Sequence, residues 1–274
     1  MMFARRLPIF IISFNRGAFL RRVIDSYRRQ TTPIDIIVHD NGSDDPETLD
    51  ILGELAAQGV AVHRAGKIES PDQLETIDQT IDSYFGWFRR RGRYVVTDCD
   101  IDLAPARPEA LALYGELLDR FRKAECVGPM LRIADIPRDY RLFNHVMNRH
   151  IEQFWRFPPE RIQTRQGDCA YLPATIDTTF AVHREGSSFR RLKRGLRVYH
   201  PFEARHLDWY PDEAGEIYRH TSAAAISHWN NATQFAALAR EPLRFERYTI
   251  VESAADGRLA IRDVELANHP EPGR

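Results

Sequence analysis

Cysteine is scarce in this chain, with three among 274 residues. Cys99, Cys126 and Cys169 form no CxxC pair, and their number is odd. A disulfide framework is therefore a poor fit, and a reducing compartment a better one. Net charge is also missing: 38 basic residues face 39 acidic ones, leaving −1. No global field points to nucleic acid or to a membrane surface. No window reaches the roughly 18 consecutive apolar residues that a membrane span needs. Internal repeats and low-complexity segments are absent too. What is present is 43% hydrophobic and 28% charged, as in a soluble globular protein. The length suits one large α/β domain or two small ones.

The opening "MMFARRLPIFIISFNRG" has two arginines before an apolar run, as a signal peptide does. The run is only about six residues long and ends in Asn-Arg-Gly with no small-residue cleavage site, so it reads as a first strand. The cytoplasm is the expected location. A basic stretch (Arg184, Arg190, Arg191, Lys193, Arg194, Arg197, Arg205) offers a peripheral contact at the inner face of a membrane, a loop over a diphosphate, or a solvated face.

Hydrophobic periodicity gives a regular alternation over the first hundred residues. Strands are expected at 7–14, 34–40, 60–66 and 94–100, with helices at 18–30, 47–59 and 72–91. Asp45 and Pro46 are placed as cap and first residue of the second helix, and Gly59 closes it. Such a β-α series implies a parallel sheet with helices on its faces, and ligands at the carboxyl ends of the strands. Polar groups gather there: Asn15 and Arg16 after the first strand, Asp40 and Asn41 after the second, Lys67 after the third, Asp98 and Asp100 after the fourth. Farther on, a helix is expected at 107–124, a strand at 126–133, a helix at 140–157, and strand character in the second half of 169–185.

"YVVTDCDIDL" joins an apolar strand to three acids, Asp98, Asp100 and Asp102. Two carboxylates at alternate positions provide hard oxygen ligands for Mg²⁺ or Mn²⁺, with Cys99 turned into the packed side. Asp102 remains either a supporting acid or a solvated one.

As a set, Phe14-Asn15-Arg16, Gln30, Asp40-Asn41-Gly42-Ser43-Asp44-Asp45 and the DxD of Asp98 and Asp100 resemble a family 2-type glycosyltransferase with the GT-A fold. The resemblance covers residues 7–105. It implies an α/β fold with a Rossmann-like mixed central sheet flanked by helices, in one continuous domain. Residues 1–105 would be its nucleotide-sugar-binding half and 106–274 its acceptor-binding and catalytic half. It implies transfer of a sugar from a nucleotide-diphosphate donor, usually UDP-linked, to a glycan or lipid-linked acceptor in surface polysaccharide synthesis, with Mn²⁺ or Mg²⁺ as cofactor.

It also implies residue roles. Phe14 would lie against the base and Asp40 would hydrogen-bond it. Lys67 would reach base or diphosphate. Asn15, Arg16 and Asn41 would line the donor site. Asp98 would touch ribose or metal, and Asp100 the metal. An inverting transfer needs a carboxylate as base. Asp177, 77 residues after Asp100, is the first choice, with Asp168 and then Asp208 as rivals. A late histidine would complete the metal shell. Among His200, His206, His220 and His228, His206 stands closest to Asp208, Trp209 and Tyr210 in sequence. Trp209, Tyr210 and Trp229 are candidates to stack on sugars. The alternatives are a sugar-phosphate nucleotidyltransferase, disfavoured by a first loop with a single glycine, and a non-catalytic nucleotide-sugar-binding module.

Overall fold

The computed structural model describes residues 6–67, 76–86, 90–210 and 232–269. His220, His228 and Trp229 lie outside them. The first strand, β1 (Leu7–Ser13), leads into α1 (Gly17–Arg28); β2 (Ile34–Asp40) and α2 (Pro46–Ala57) follow. Next come β3 (Ala61–Arg64), α3 (Ile77–Phe85), β4 (Tyr94–Asp98) and the two-residue β5 (Ile101–Asp102). This much keeps the expected order. Asp45 caps α2, its Oδ2 accepting from the Thr48 amide at 2.8 Å. Of the helix expected over 72–91, the described part is α3, followed by Gly86 at φ 81°.

The second half continues with α4 (Ala110–Arg120), β6 (Cys126–Pro129), α5 (Phe143–His150), β7 (Glu160–Thr164), β8 (Gly167–Ile176), β9 (Ala181–His183) and β10 (Lys193–Val198). It closes with β11 (Arg205–His206), α6 (Ala232–Leu238), β12 (Arg247–Ser253) and β13 (Leu259–Glu265). Three expectations need correction here. The strand expected at 126–133 stops at Pro129. The helix expected at 140–157 changes pitch, with α5 giving way to a π-helical turn over Ile151–Trp155. The segment 169–185 carries strand in both halves, because β8 and β9 are separate strands joined across Asp177–Phe180.

Nine strands form one mixed sheet in the order β3-β2-β1-β4-β9-β6-β10-β8-β7. β1 to β4 are parallel, and β9 enters antiparallel between β4 and β6. β1 is apolar along its length because both of its faces are covered. Ile9 and Ile11 join the cluster formed with α1, α2 and α4, whereas Phe10 and Ile12 join the one built on α3. The architecture is the Rossmann-like mixed sheet flanked by helices that the resemblance implied. β12 and β13 form a separate hairpin.

Candidate active site

The site is assembled where α1 meets the turn after β4. Tyr27 on α1 donates its hydroxyl to the Ile101 carbonyl at 2.6 Å, and Ser26 Oγ accepts from the Leu103 amide at 3.1 Å. Asp102 is part of this clamp. Buried, it accepts from the Ala104 amide at 2.8 Å and lies 3.4 Å from Arg22 Nε. It holds the turn, and the solvated alternative is excluded. Cys99 packs into the core as expected.

β5 is met by β11 in a short antiparallel ladder that pairs Asp102 with Arg205 and Ile101 with His206. The Leu207 amide then donates to the Asp100 carbonyl at 2.8 Å. This ladder sets His206 and Asp208 against Asp100. One ligand atom from each of the three lies within 4.8 Å of the others. Asp100 is 2% exposed and Asp208 1%. Oδ1 of each acid and Nδ1 of His206 are buried without a hydrogen-bond partner. Buried polar atoms are nearly always satisfied. Two carboxylates and an imidazole that leave such atoms facing one space fit a hard divalent cation such as Mn²⁺ or Mg²⁺.

Arg16 reaches this group. Its Nη1 donates to Asp100 Oδ2 and lies 3.5 Å from Asp208 Oδ2. Burial opposes the Arg16 charge, but Asp208 and Asp100 hold it on. Burial would raise Asp100 as well, yet His206 and Arg16 bring it below the usual carboxylate range. Asp208 is pushed up by burial, against the pull of Arg16. Burial keeps His206 neutral, the form that can ligate. Trp209 lies flat on the His206 ring at 4.7 Å and only 5° from parallel, and the edge of His150 meets Trp209 from elsewhere. Trp209 is thus a buried support for His206. Tyr210 donates to Asp135 at 2.7 Å under the Arg205 guanidinium. The sugar-stacking roles considered for Trp209 and Tyr210 are replaced by these contacts.

Asp98 stands beside the cluster and is not among its three grouped ligands. Its Oδ2 accepts from Thr178 Oγ1 at 2.6 Å, and its amide donates to the Thr178 carbonyl. Burial first, then Asp100, pushes its pKa well up. This pair of bonds carries the β8–β9 connection across to the end of β4 and brings in Asp177. Asp177 Oδ1 accepts from the amide and hydroxyl of Thr179 and lies 3.8 Å from Arg197 Nη2. Burial would raise Asp177, but Arg197 and Thr179 outweigh it and keep it ionised. Its charge is felt at both Asp98 and His206. Asp168 lies near the other end of β8, on the order of 25 Å away along an extended strand, in an ion pair with Arg161. Asp208 belongs to the cradle.

The residues at the other strand ends hold one another. Asn15, at φ 49°, accepts through Oδ1 from the amides of Asp44 and Asp45 and donates to Asp44 at 2.7 Å. Asp40 is fully buried; Ser43 and Arg64 donate to its oxygens, Arg64 at 2.9 Å. Lys67 bonds Asp44 at 2.8 Å. Buried Asn41 keeps an unpartnered Oδ1. Phe14 is half-buried at the end of β1. These residues form one braced loop cluster at the carboxyl edge of the parallel strands.

The basic segment is mostly engaged inside the fold. Arg184 donates to the Leu118, Phe121 and Ala124 carbonyls, Lys193 to Ser188, and Arg205 to Asp135. Arg197, 4% exposed, lies beside Asp177 with its guanidinium over Phe154. Two contributions were not apparent in the sequence: Asp208 as the third cradle member, and Arg16 as its cation. The only trace of the first is the His-x-Asp spacing of His206 and Asp208.

A mixed nine-stranded sheet flanked by helices, with acids gathered at the end of its fourth strand, makes this an α/β protein with a polar site at the strand ends. Residues 9–68 match the model of glycosyl transferase family 2. No curated protein matches the chain. Among solved structures, a mannosyltransferase from Pyrobaculum calidifontis in complex with GDP-Man and Mn²⁺ is 16% identical, with a TM-score of 0.36 over 56% of this chain and 41% of its own. TarS of S. aureus in complex with UDP-GlcNAc is 13% identical, with a TM-score of 0.35 over 47% of this chain and 35% of its own. Glucosyl-3-phosphoglycerate synthase of Mycobacterium tuberculosis, with Mn²⁺, UDP and glucosyl-3-phosphoglycerate, is 17% identical, with a TM-score of 0.34 over 53% and 51%. Among the described residues, no helix is long and apolar enough to cross a membrane.

Proposed function

We propose that the protein is a metal-dependent, inverting glycosyltransferase that moves a sugar from a nucleoside-diphosphate donor, UDP-linked, to a hydroxyl of a glycan or lipid-linked acceptor. The observation that carries this is the buried cradle of Asp100, His206 and Asp208, with orphaned ligand atoms, beside a strand-end cluster from a family 2 segment. Asp100, His206 and Asp208 would hold Mn²⁺ or Mg²⁺. When bound, that cation offsets the charge that develops on the leaving diphosphate.

The remaining roles follow from the side chains. Phe14 lies under the base. Asp40 shapes the base pocket through Ser43 and Arg64, and Asn15 braces the same loop. Asp98, oriented by Thr178, faces the donor. Asp177 takes the acceptor hydroxyl proton as that oxygen attacks the anomeric carbon from the face opposite the diphosphate. Arg197 keeps Asp177 ionised for this step. The geometry favours enzyme over binding module because Asp177 is both ionised and brought to the cradle by Thr178.

The test is a panel of nucleoside-diphosphate sugars, each followed for release of nucleoside diphosphate with Mn²⁺, Mg²⁺ or chelator. At least one UDP-sugar should turn over only with the metal. No turnover of any donor under any of these conditions would overturn the proposal.

A further inference from the structure

Arg16 is the only cation within hydrogen-bonding reach of the cradle acids among the contacts described above, and it engages them on one side. It faces Oδ2 of Asp100 and Oδ2 of Asp208, while the Oδ1 atoms of both stay buried and unpartnered. A single guanidinium therefore engages both carboxylates but leaves one oxygen of each unsatisfied. A divalent cation ligated by the same carboxylates would meet the guanidinium at short range, where like charges in a buried site repel strongly.

Only the side chain is positioned to give way. Asn15 on one side is tied by its amide to Ser43 Oγ at 2.9 Å. Gly17 on the other donates to Thr48 Oγ1 at 3.1 Å and packs so tightly that a Cβ would lie 2.8 Å from Ile51 and 2.9 Å from Thr48. The Arg16 side chain itself is 20% exposed, so it opens to solvent where the backbone on either side is held.

We propose that Arg16 is the resident counter-ion of the cradle: the metal displaces it, and it re-pairs with the diphosphate of the donor. This rests on the metal-dependent reading given above. Metal alone then binds weakly, because Arg16 loses the two carboxylates as anionic partners. Metal with nucleoside diphosphate binds tightly, because the diphosphate restores them. The two ligands are coupled through one side chain.

Mn²⁺ binding to the full chain, followed by the EPR signal of the free ion with and without UDP, tests this. Wild type should bind Mn²⁺ much more tightly with UDP than without it. Arg16→Gln should bind Mn²⁺ alone about tenfold more tightly than wild type, and the enhancement by UDP should shrink about tenfold. Arg16→Met keeps the aliphatic stem, should behave alike, and serves if the glutamine variant melts early. Equal Mn²⁺ affinity in wild type and variants, with the same enhancement by UDP, would refute the role of Arg16 and leave the metal site standing. Absence of Mn²⁺ binding in every form, UDP included, would overturn the metal site and Arg16's role together.

Discussion

At the scale of single residues, the proposed site divides into a cradle and a base. Asp177→Asn keeps the shape and the Thr179 contacts but removes the proton acceptor. Its kcat should fall by about a thousandfold, within the usual range for a general base, while Mn²⁺ and UDP binding stay unchanged. Activity near wild type would assign the base elsewhere. Asp168→Asn, far along β8, should leave kcat within about twofold, as surface changes away from a site do. Asp208→Asn should weaken Mn²⁺ binding by more than about tenfold, as loss of a charged ligand from a buried set does. An unchanged affinity would remove Asp208 from the cradle. Asp100 and His206 were legible beforehand because one ends an apolar strand and the other stands among polar and aromatic neighbours. Asp208 looked like a loop acid, since the 3-10 turn over Leu207–Trp209 that buries it has no hydrophobic period to reveal it. Arg16 looked like a donor-site residue; its bond to Asp100 spans 84 positions, which no local pattern reports.

At the scale of elements, the first half was readable and the second only in part. In β1, β2 and β4, burial on both faces writes a nearly unbroken apolar run, and the helices between them keep a clear stripe. β9 is three residues long, too short to declare itself, although it sits in the middle of the sheet. The π turn after α5 falls inside the single helix expected at 140–157, because one widened turn leaves too little trace in the apolar spacing to be read. Turn chemistry, in contrast, transferred well. Gly42 sits at φ 77°, and a Cβ there would come within 2.7 Å of the Lys67 amide nitrogen. Gly42→Ala should cost about 1–3 kcal/mol in urea unfolding, the usual strain of a left-handed backbone. It should also weaken UDP binding, because the strand-end loops are braced against each other. A variant as stable as wild type with unchanged UDP affinity would show that the loops do not depend on this contact.

At the scale of the whole molecule, several buried histidines set the response to acid. Burial, then His63, lowers His39 to about 4, and burial holds His150 and His183 well below their ordinary value. Each stays neutral in the fold, whereas the unfolded chain takes up a proton near pH 6.5. Their stabilisation is present above about 6.5 and is lost as pH falls toward 4. Glu203 has the opposite sign: burial raises it to about 7, so its contribution is present below about 4.5 and fades as pH rises through 7. Asp98 and Asp208 share the sign of Glu203, and His200, His206 and His269 share that of the three histidines. Six lowered histidines outnumber three raised acids, so the urea midpoint should drop between pH 7 and 4.5. Glu203→Gln should steepen that drop. A flat profile in wild type would contradict this balance. The ladder between β5 and β11 has a different consequence. It is two residues long on each side, yet with the Leu207 amide and the Trp209 ring it sets His206 beside the acid after β4. The nine-stranded sheet can stay intact while so short a seam opens, since local openings cost far less than global unfolding. The cradle can thus come apart like a clasp on a rigid frame. Amide exchange at Leu207, whose N–H crosses the seam to Asp100, should be fast in the free protein and slow markedly once metal and nucleotide close it.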